Sequence, residues 1–202
     1  KSDKVEMRHI TEEFTRVSLA NPEIKMQFFH NNNELFHLSK GNFRQRIVNI
    51  IGGKKNETLV PINEETSVVS IDGFIGKPES AKRTRGEQYF FVNGRFIKNH
   101  YLHHAVSKAF EELIPHNYFP SFFINLQIDP KLIDINIHPT KTEIKFEDER
   151  AIYAIIRACV KRSLGQYNIA PTLDFSQELS FDVAPSSATA TLKEPQIKVD
   201  IV

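Results

Sequence analysis

Apolar side chains recur along this chain at the helical period in some segments and at the strand period of two in others, and the alternation outlines a mixed α/β fold. Residues 3–20 place Ile10, Phe14 and Val17 at helical spacing, with Ser2 or Asp3 as cap and Asn21-Pro22 as the stop. That pattern predicts an amphipathic opening helix. Ile24, Met26 and Phe28 then alternate with polar residues, Asn31-Asn32-Asn33 supplies turn chemistry that tolerates positive φ, and residues 35–38 return as the second arm of a hairpin. Asn42 is placed to cap a short helix carrying Phe43, Ile47, Val48 and Ile51, which Gly52-Gly53 ends.

Two strands are expected at 59–63 and 68–75, where β-branched residues are dense and Gly73 and Gly76 interrupt. Residues 77–86 form a polar loop with Lys82, Arg83 and Arg85. A hydrophobic strand at 88–92 meets Asn93-Gly94, the strongest type I′ turn signal in the chain, and 95–98 return. Leu102, Ala105, Val106, Ala109, Phe110 and Leu113 then make one helical stripe over 101–113. Phe122, Ile124, Leu126 and Ile128 alternate, Asp129-Pro130 turns the chain, and Ile133, Ile135 and Ile137 alternate again, predicting two adjacent antiparallel strands. A brief strand at 143–146 leads to a closing helix over about 148–164. The fold class is α/β, with a mixed, mainly antiparallel sheet packed by helices. No internal repeat is visible. From Tyr167 onward Pro, Ser, Thr and Ala dominate, so the expected organisation is one domain at 1–166 and a linker-like tail at 167–202.

Composition narrows the class. A chain of 202 residues with 40% hydrophobic content has material for a real core. The 26 basic and 25 acidic residues nearly cancel. The tail sets Lys193 and Lys198 against Asp174, Glu178, Asp182, Glu194 and Asp200, which leaves the first part mildly basic and compatible with a DNA-contacting face. The one cysteine, Cys159, falls in an apolar helical stretch where a buried thiol in a reducing compartment is the expectation. No apolar run approaches the roughly 20 residues of a membrane span, and the first residues lack a secretory core. The expectation is a soluble intracellular protein without a membrane partner. The start at Lys1-Ser2-Asp3, without a methionine, suggests a piece excised from a longer chain.

Two blocks carry the specific chemistry. The first is Tyr89-Phe90-Phe91-Val92-Asn93-Gly94-Arg95-Phe96-Ile97-Lys98, followed by the helical stripe. The second is Ile133-Asp134-Ile135-Asn136-Ile137-His138-Pro139-Thr140-Lys141-Thr142-Glu143-Ile144-Lys145-Phe146. In this order and spacing they resemble the second, transducer domain of the MutL family of DNA mismatch repair ATPases, with its aromatic strand, Val-Asn-Gly-Arg turn and His-Pro-x-Lys loop. The resemblance covers roughly residues 1–165.

That resemblance implies a ribosomal-protein-like transducer fold, as in gyrase/MutL-type ATPases, coupled to an ATPase domain that this chain lacks. It implies that Lys141 reaches across the domain boundary to the terminal phosphate of ATP, where an ammonium is a compact charge able to report the phosphate. ATP and Mg²⁺ would be bound mainly by the missing domain, and no catalysis is expected from this fragment alone. The implied partners are double- or single-stranded DNA without sequence specificity, the chain's own ATPase domain, a mismatch-recognition protein of the MutS type, and a second copy or related chain in an ATP-dependent homodimer or heterodimer. The implied location is cytoplasmic or nucleoid-associated in a bacterium and nuclear in a eukaryote.

For DNA the candidates are Arg95, Lys98 and His100, with Lys82, Arg83 and Arg85 next in order. Here the chain departs from the family, which often has a basic residue where His100 stands; a neutral histidine gives a weaker phosphate contact near pH 7. His103, His104 and Lys108 are candidates for the same basic approach. His100, His103 and His104 share a helical face, yet no cysteine or spaced carboxylate completes a zinc site. Serine-nucleophile motifs and Walker or paired glycine-rich phosphate loops are absent from the sequence, which argues against a small metabolic kinase. The alternative from another class is an RNA- or ribosome-associated α/β binding domain. It requires Tyr89, Phe90 and Phe91 to be exposed for base stacking.

Overall fold

The computed structural model describes residues 2–134 and 142–169. Helix α1 (Asp3–Ala20) leads into a hairpin, β1 (Met26–His30) and β2 (Asn33–Leu38), paired from Met26 opposite Leu38 to His30 opposite Asn33. Asn31 and Asn32 take φ of 48° and 63°, the left-handed geometry that a two-residue hairpin turn needs and that Asn tolerates. Helix α2 (Phe43–Ile51) starts with a reciprocal capping box: the Asn42 side chain accepts from the Gln45 N–H, and the Gln45 side chain accepts from the Asn42 N–H.

The central sheet contains β3 (Leu59–Glu65), β4 (Ser70–Gly76), β5 (Gln88–Val92), β6 (Arg95–Ile97) and β7 (Phe122–Gln127). Its strand order is β3-β4-β7-β5-β6. Every neighbouring pair is antiparallel except β5 and β7, which run parallel. Helix α3 (His100–Phe110) supplies the connection between that parallel pair, and α4 (Glu149–Ile169) closes the described chain.

Alternation along the strands divides the core into two layers. Phe90, Ile97, Phe122 and Ile124 pack with Leu102, Val106 and Phe110 of α3 and Ile152, Ile156 and Val160 of α4. On the opposite face Phe91 and Phe123 pack with Leu19 of α1 and Ile47 of α2. Cys159 is buried on the α4 side. Gly73 shows how tightly β4 and β7 approach: its φ is 143°, and a Cβ there would stand 2.1 Å from the Phe123 carbonyl oxygen.

Three expectations change. Strand β7 does not pair with the strand that follows it. Its two edges are taken by β4 and β5, while the Pro130–Leu132 turn leads the chain away to β8 (Ile133–Asp134), whose partner is β9 (Lys145–Phe146). The expected strand residues Ile135 and Ile137 lie outside the described residues. Next, the Ile10 and Val17 stripe of α1 stays out of the core, with 47% and 52% exposure, because Ser18 and Leu19 occupy the inward face. Finally, α4 continues past Leu164 to Ile169, and Tyr167 packs against the core with the Lys77 ammonium 4.6 Å from its ring centre.

Candidate functional site

The Asn93-Gly94 turn has φ of 48° and 77°, as a type I′ hairpin requires. Asn93 does more than turn. Its side chain accepts from the Ile128 N–H at 3.0 Å and donates to the Ile128 carbonyl at 2.9 Å, while its own N–H donates to Leu126 O. These bonds prolong the ladder beyond β7 and fix the turn to the sheet. Arg95, opposite Val92, is exposed at that end of β5.

The return strand carries Lys98 and His100 the other way. Ile97 pairs with Phe90, so the chain after β6 comes back toward the Gln88 end of β5. At a rise of about 3.3 Å per residue the two ends of β5 are about 13 Å apart. Arg95 is therefore separated from Lys98 and His100 along the strand direction, although all three are neighbours in sequence. Lys98 and His100 are exposed.

The Lys98 N–H donates to the Thr142 carbonyl at 2.7 Å. One residue on, Asn99 caps α3 by accepting from the Leu102 N–H at 3.0 Å, and its amide donates to Glu149 Oε1 at 2.8 Å. Opposite, β8 pairs with β9, and the Glu147 N–H donates to Leu132 O. The two sequence blocks thus meet at one corner. Lys141, the candidate ATP contact, lies outside the described residues, next to Thr142.

The remaining basic candidates differ in state. The Lys82 ammonium is paired with Glu87, and Lys82 forms a backbone bridge with Phe119. Arg83 Nε donates to the Tyr118 hydroxyl at 3.1 Å, and the Arg85 guanidinium lies 4.5 Å from the Phe119 ring centre. Lys108 is tied to Glu111 at 2.8 Å, which holds the Glu111 carboxyl below the usual range. The basic approach expected along α3 is weaker than its sequence suggests. His103 packs edge-on against Phe90 and Phe122, and burial, with His100 and Arg85 nearby, pushes its pKa down to about 4. It is neutral at pH 7. His104 Nδ1 lies 2.8 Å from the Tyr153 hydroxyl. Among the described residues no group of three His, Cys, Asp or Glu side chains is arranged to hold a metal.

Sequence reasoning missed the Asn99 cap, which an Asn immediately before the helical stripe signals, and it missed Arg46. The Arg46 side chain is 1% exposed and donates to the carbonyls of Ser18, Pro22, Ile24 and Ser39. No pattern of spacing marks such an arginine. Phe90 and Phe91 are 0% and 1% exposed, so the stacking surface that an RNA-binding reading asks of them is inside the core. The first residues also form an apolar groove of about 470 Å³ between α1 and β1, lined by His9, Ile10, Glu13, Phe14, Val17 and Phe28. Arg16 of α1 stands 4.5 Å over the ring of Phe96, linking this helix to the strand that carries Arg95.

Comparison with known proteins identifies the class. Residues 47–165 match the family model described as "DNA mismatch repair protein, C-terminal domain", the transducer-type domain. Two solved structures share the fold. The "N terminal domain of a DNA repair protein" aligns with a TM-score of 0.69 at 19% identity, covering 83% of this chain and 57% of that one. The "Aquifex aeolicus MutL ATPase domain with K252N mutation" aligns with a TM-score of 0.57 at 19% identity, covering 79% and 53%. Among curated proteins the DNA mismatch repair protein MutL of Christiangramia forsetii is 56% identical over 200 residues, covering 99% of this chain and 32% of that protein. MutL of Flavobacterium psychrophilum is 56% identical and MutL of Parabacteroides distasonis 42%, each over 99% of this chain and 33% of its own length. The chain belongs to the MutL family of DNA mismatch repair proteins. It spans about a third of the length of the relatives it matches. No helix among the described residues is long and apolar enough to cross a membrane.

Proposed function

We propose that this chain is the transducer part of a MutL-type DNA mismatch repair ATPase, coupling ATP binding in a preceding domain to domain closure, dimerisation and sequence-independent DNA binding. The observation that carries the reading is the Lys98 to Thr142 hydrogen bond at 2.7 Å. It joins the stem of the lysine loop to the strand carrying Arg95, so a pull on Lys141 has a short covalent and hydrogen-bonded route to the basic turn.

The apolar groove on α1 supports a second part of the reading, a face for the chain's own ATPase domain. Exposed Ile10 and Val17 beside Phe14 and Phe28 are costly to leave in water, and relatives about three times as long have the material to cover them. ATP and Mg²⁺ belong to that other domain in this reading. The groove on α1 is lined mainly by apolar side chains and so suits a protein surface better than a nucleotide phosphate. This chain's contribution is one cation, Lys141. A MutS-type partner, a dimer and a cytoplasmic or nucleoid-associated location follow from the same reading.

The test compares Lys141→Ala in two settings. In the isolated chain the melting temperature should stay close to wild type, because in this reading the partner of Lys141 is a phosphate in another domain, and substitutions that break no internal contact usually stay within about 0.5 kcal/mol. In the full-length protein, ATP turnover and ATP-dependent dimerisation fall together, because a charge beside the terminal phosphate is lost. A destabilised fragment with unchanged full-length ATPase would make Lys141 a structural lysine and overturn the coupling role.

A further inference from the structure

The 82–85 loop carries three cations in two different states. Lys82 is neutralised by Glu87, whereas Arg83 and Arg85 lie over rings, 5.6 Å from the centre of Tyr118 and 4.5 Å from that of Phe119. Both arginines are exposed and both rings are half-buried. Among the described residues neither guanidinium is within ion-pair distance of a carboxylate. Two backbone bonds, Lys82 N–H to Phe119 O at 3.0 Å and Phe119 N–H to Lys82 O at 2.7 Å, pin the loop against the segment that supplies the rings.

This arrangement is unlike a loose basic loop. An arginine in water loses roughly 2 kcal/mol of rotamer freedom when it is immobilised, and a side chain already resting on a ring has less left to lose on binding. Each guanidinium has five N–H donors; Arg83 gives one to the Tyr118 hydroxyl, and both arginines are exposed. Fixed, forked, unneutralised donors are suited to phosphate oxygens. Position adds to the case. Arg85 comes just before Gln88, at the start of β5, whereas Arg95 sits at the opposite end of that strand, facing Val92.

We propose that Arg83 and Arg85 bind the phosphate backbone of DNA as a pre-organised pair, separate from Arg95, and that Tyr118 and Phe119 are the residues that position them. The proposal rests on the DNA-binding reading above and assigns its strongest contacts to this loop. Lys82 is excluded from the contact by its own ion pair.

The experiment is a salt titration of affinity for a short labelled duplex and a labelled oligo-dT, read by fluorescence anisotropy on the 202-residue chain. Arg83→Met with Arg85→Met should weaken duplex binding several-fold and lower the slope of log affinity against log salt by about 0.9 per lost contact, or about 0.7 on the single strand. Tyr118→Leu with Phe119→Leu should weaken binding while leaving the slope unchanged, since both charges remain. A merely structural role for the rings would instead lower the melting temperature with no effect on the affinity of the folded fraction. If the double ring variant does not fold, Tyr118→Leu alone carries this arm. Wild-type affinity and slope in the arginine variant, with loss only on Arg95→Met and Lys98→Met, would overturn this assignment and leave the DNA reading intact. No binding by the unaltered chain at low salt would remove the DNA reading and this assignment with it. Unchanged affinity in the ring variants beside weakened arginine variants would overturn the positioning role.

Discussion

Asn99 joins two helices at their first residues: its side-chain oxygen caps α3 through the Leu102 N–H, and its amide donates to Glu149 at the start of α4. Lys98, its neighbour, holds Thr142 through the backbone. Two of these three bonds reach Thr142 and Glu149, so the described chain that follows Lys141 is held by residues at the end of the other motif.

Replacing Asn99 by Ala should therefore have two separable effects. Loss of an N-cap costs about 1 kcal/mol, and the Glu149 carboxylate loses its amide donor. The chain should unfold at lower urea with an unchanged m-value. In the full-length protein the ATP-dependent step should weaken more than the stability loss accounts for. Asn99→Asp, which keeps the cap but sets a carboxylate against Glu149, should restore stability less than Asn99→Ser, and a fully stable Asn99→Asp chain would contradict the proposed geometry.

His103 predicts a pH dependence whose sign is fixed by burial. Its pKa is held at about 4 in the folded chain, below the ordinary histidine value of about 6.5. The unfolded chain takes up the proton first as pH falls. Stability linked to this residue is thus fully present above about pH 6.5 and is lost as pH falls toward about 4, with an upper limit of about 3 kcal/mol. Chemical denaturation at a series of pH values checks it. His103→Gln should flatten the curve in that window, and an unchanged pH profile in the variant would assign the dependence to other groups.

How much of this was legible depended on whether a short segment decides the outcome. Asn93-Gly94 encodes its turn in two residues, and the Asn42 capping box in four, so both follow from local chemistry. The pairing of β7 does not. It depends on which sheet edges are already occupied, and alternation in 122–128 and 133–137 carries no information about that. A helical stripe likewise says that α1 has an apolar face without saying where the cover for it comes from. The basic residues were found by type, but their states were set by partners distant in sequence: Phe119 for Arg85, and Phe90 and Phe122 for His103.

Gly73→Ala tests the contact between β4 and β7. A Cβ 2.1 Å from the Phe123 carbonyl oxygen has no room, and φ of 143° is strained for any residue with a side chain. The backbones must part at the centre of the sheet. The expected loss exceeds the roughly 1–3 kcal/mol of ordinary overpacking. Gly53→Ala, with nothing within 4 Å of its Cβ and no positive φ, is the control and should melt close to wild type.

Arg46 carries the last prediction, because its burial is hard to explain except as a fastening. A guanidinium that is 1% exposed has been taken out of water, and burial pushes its pKa down from the ordinary value. Its compensation comes from four carbonyls: Ser18 at the end of α1, Pro22 and Ile24 on the way to β1, and Ser39 after β2. One planar group thus ties α1, both ends of the hairpin and α2, on which Arg46 itself stands. Arg46→Met keeps much of the volume and removes every donor. Pro22 O retains the Gly41 N–H, while the other carbonyls lose this donor. Ser18 O is buried and the Ile24 and Ser39 bonds are part-buried, so at about 1 kcal/mol for each lost hydrogen bond to the charged group, and somewhat more for the buried one, the chain should lose about 2–4 kcal/mol. Arg46→Lys should recover only part, since an ammonium has three donors and no planar fork. Amide hydrogen exchange locates the loss: protection at Met26–His30 and Asn33–Leu38 should fall further than in the five-stranded sheet, because a two-stranded hairpin has little stability of its own. Equal loss of protection in the hairpin and the sheet would show Arg46 supporting the whole fold rather than fastening its first segment, and a wild-type melting curve for Arg46→Met would show that the four bonds contribute nothing net.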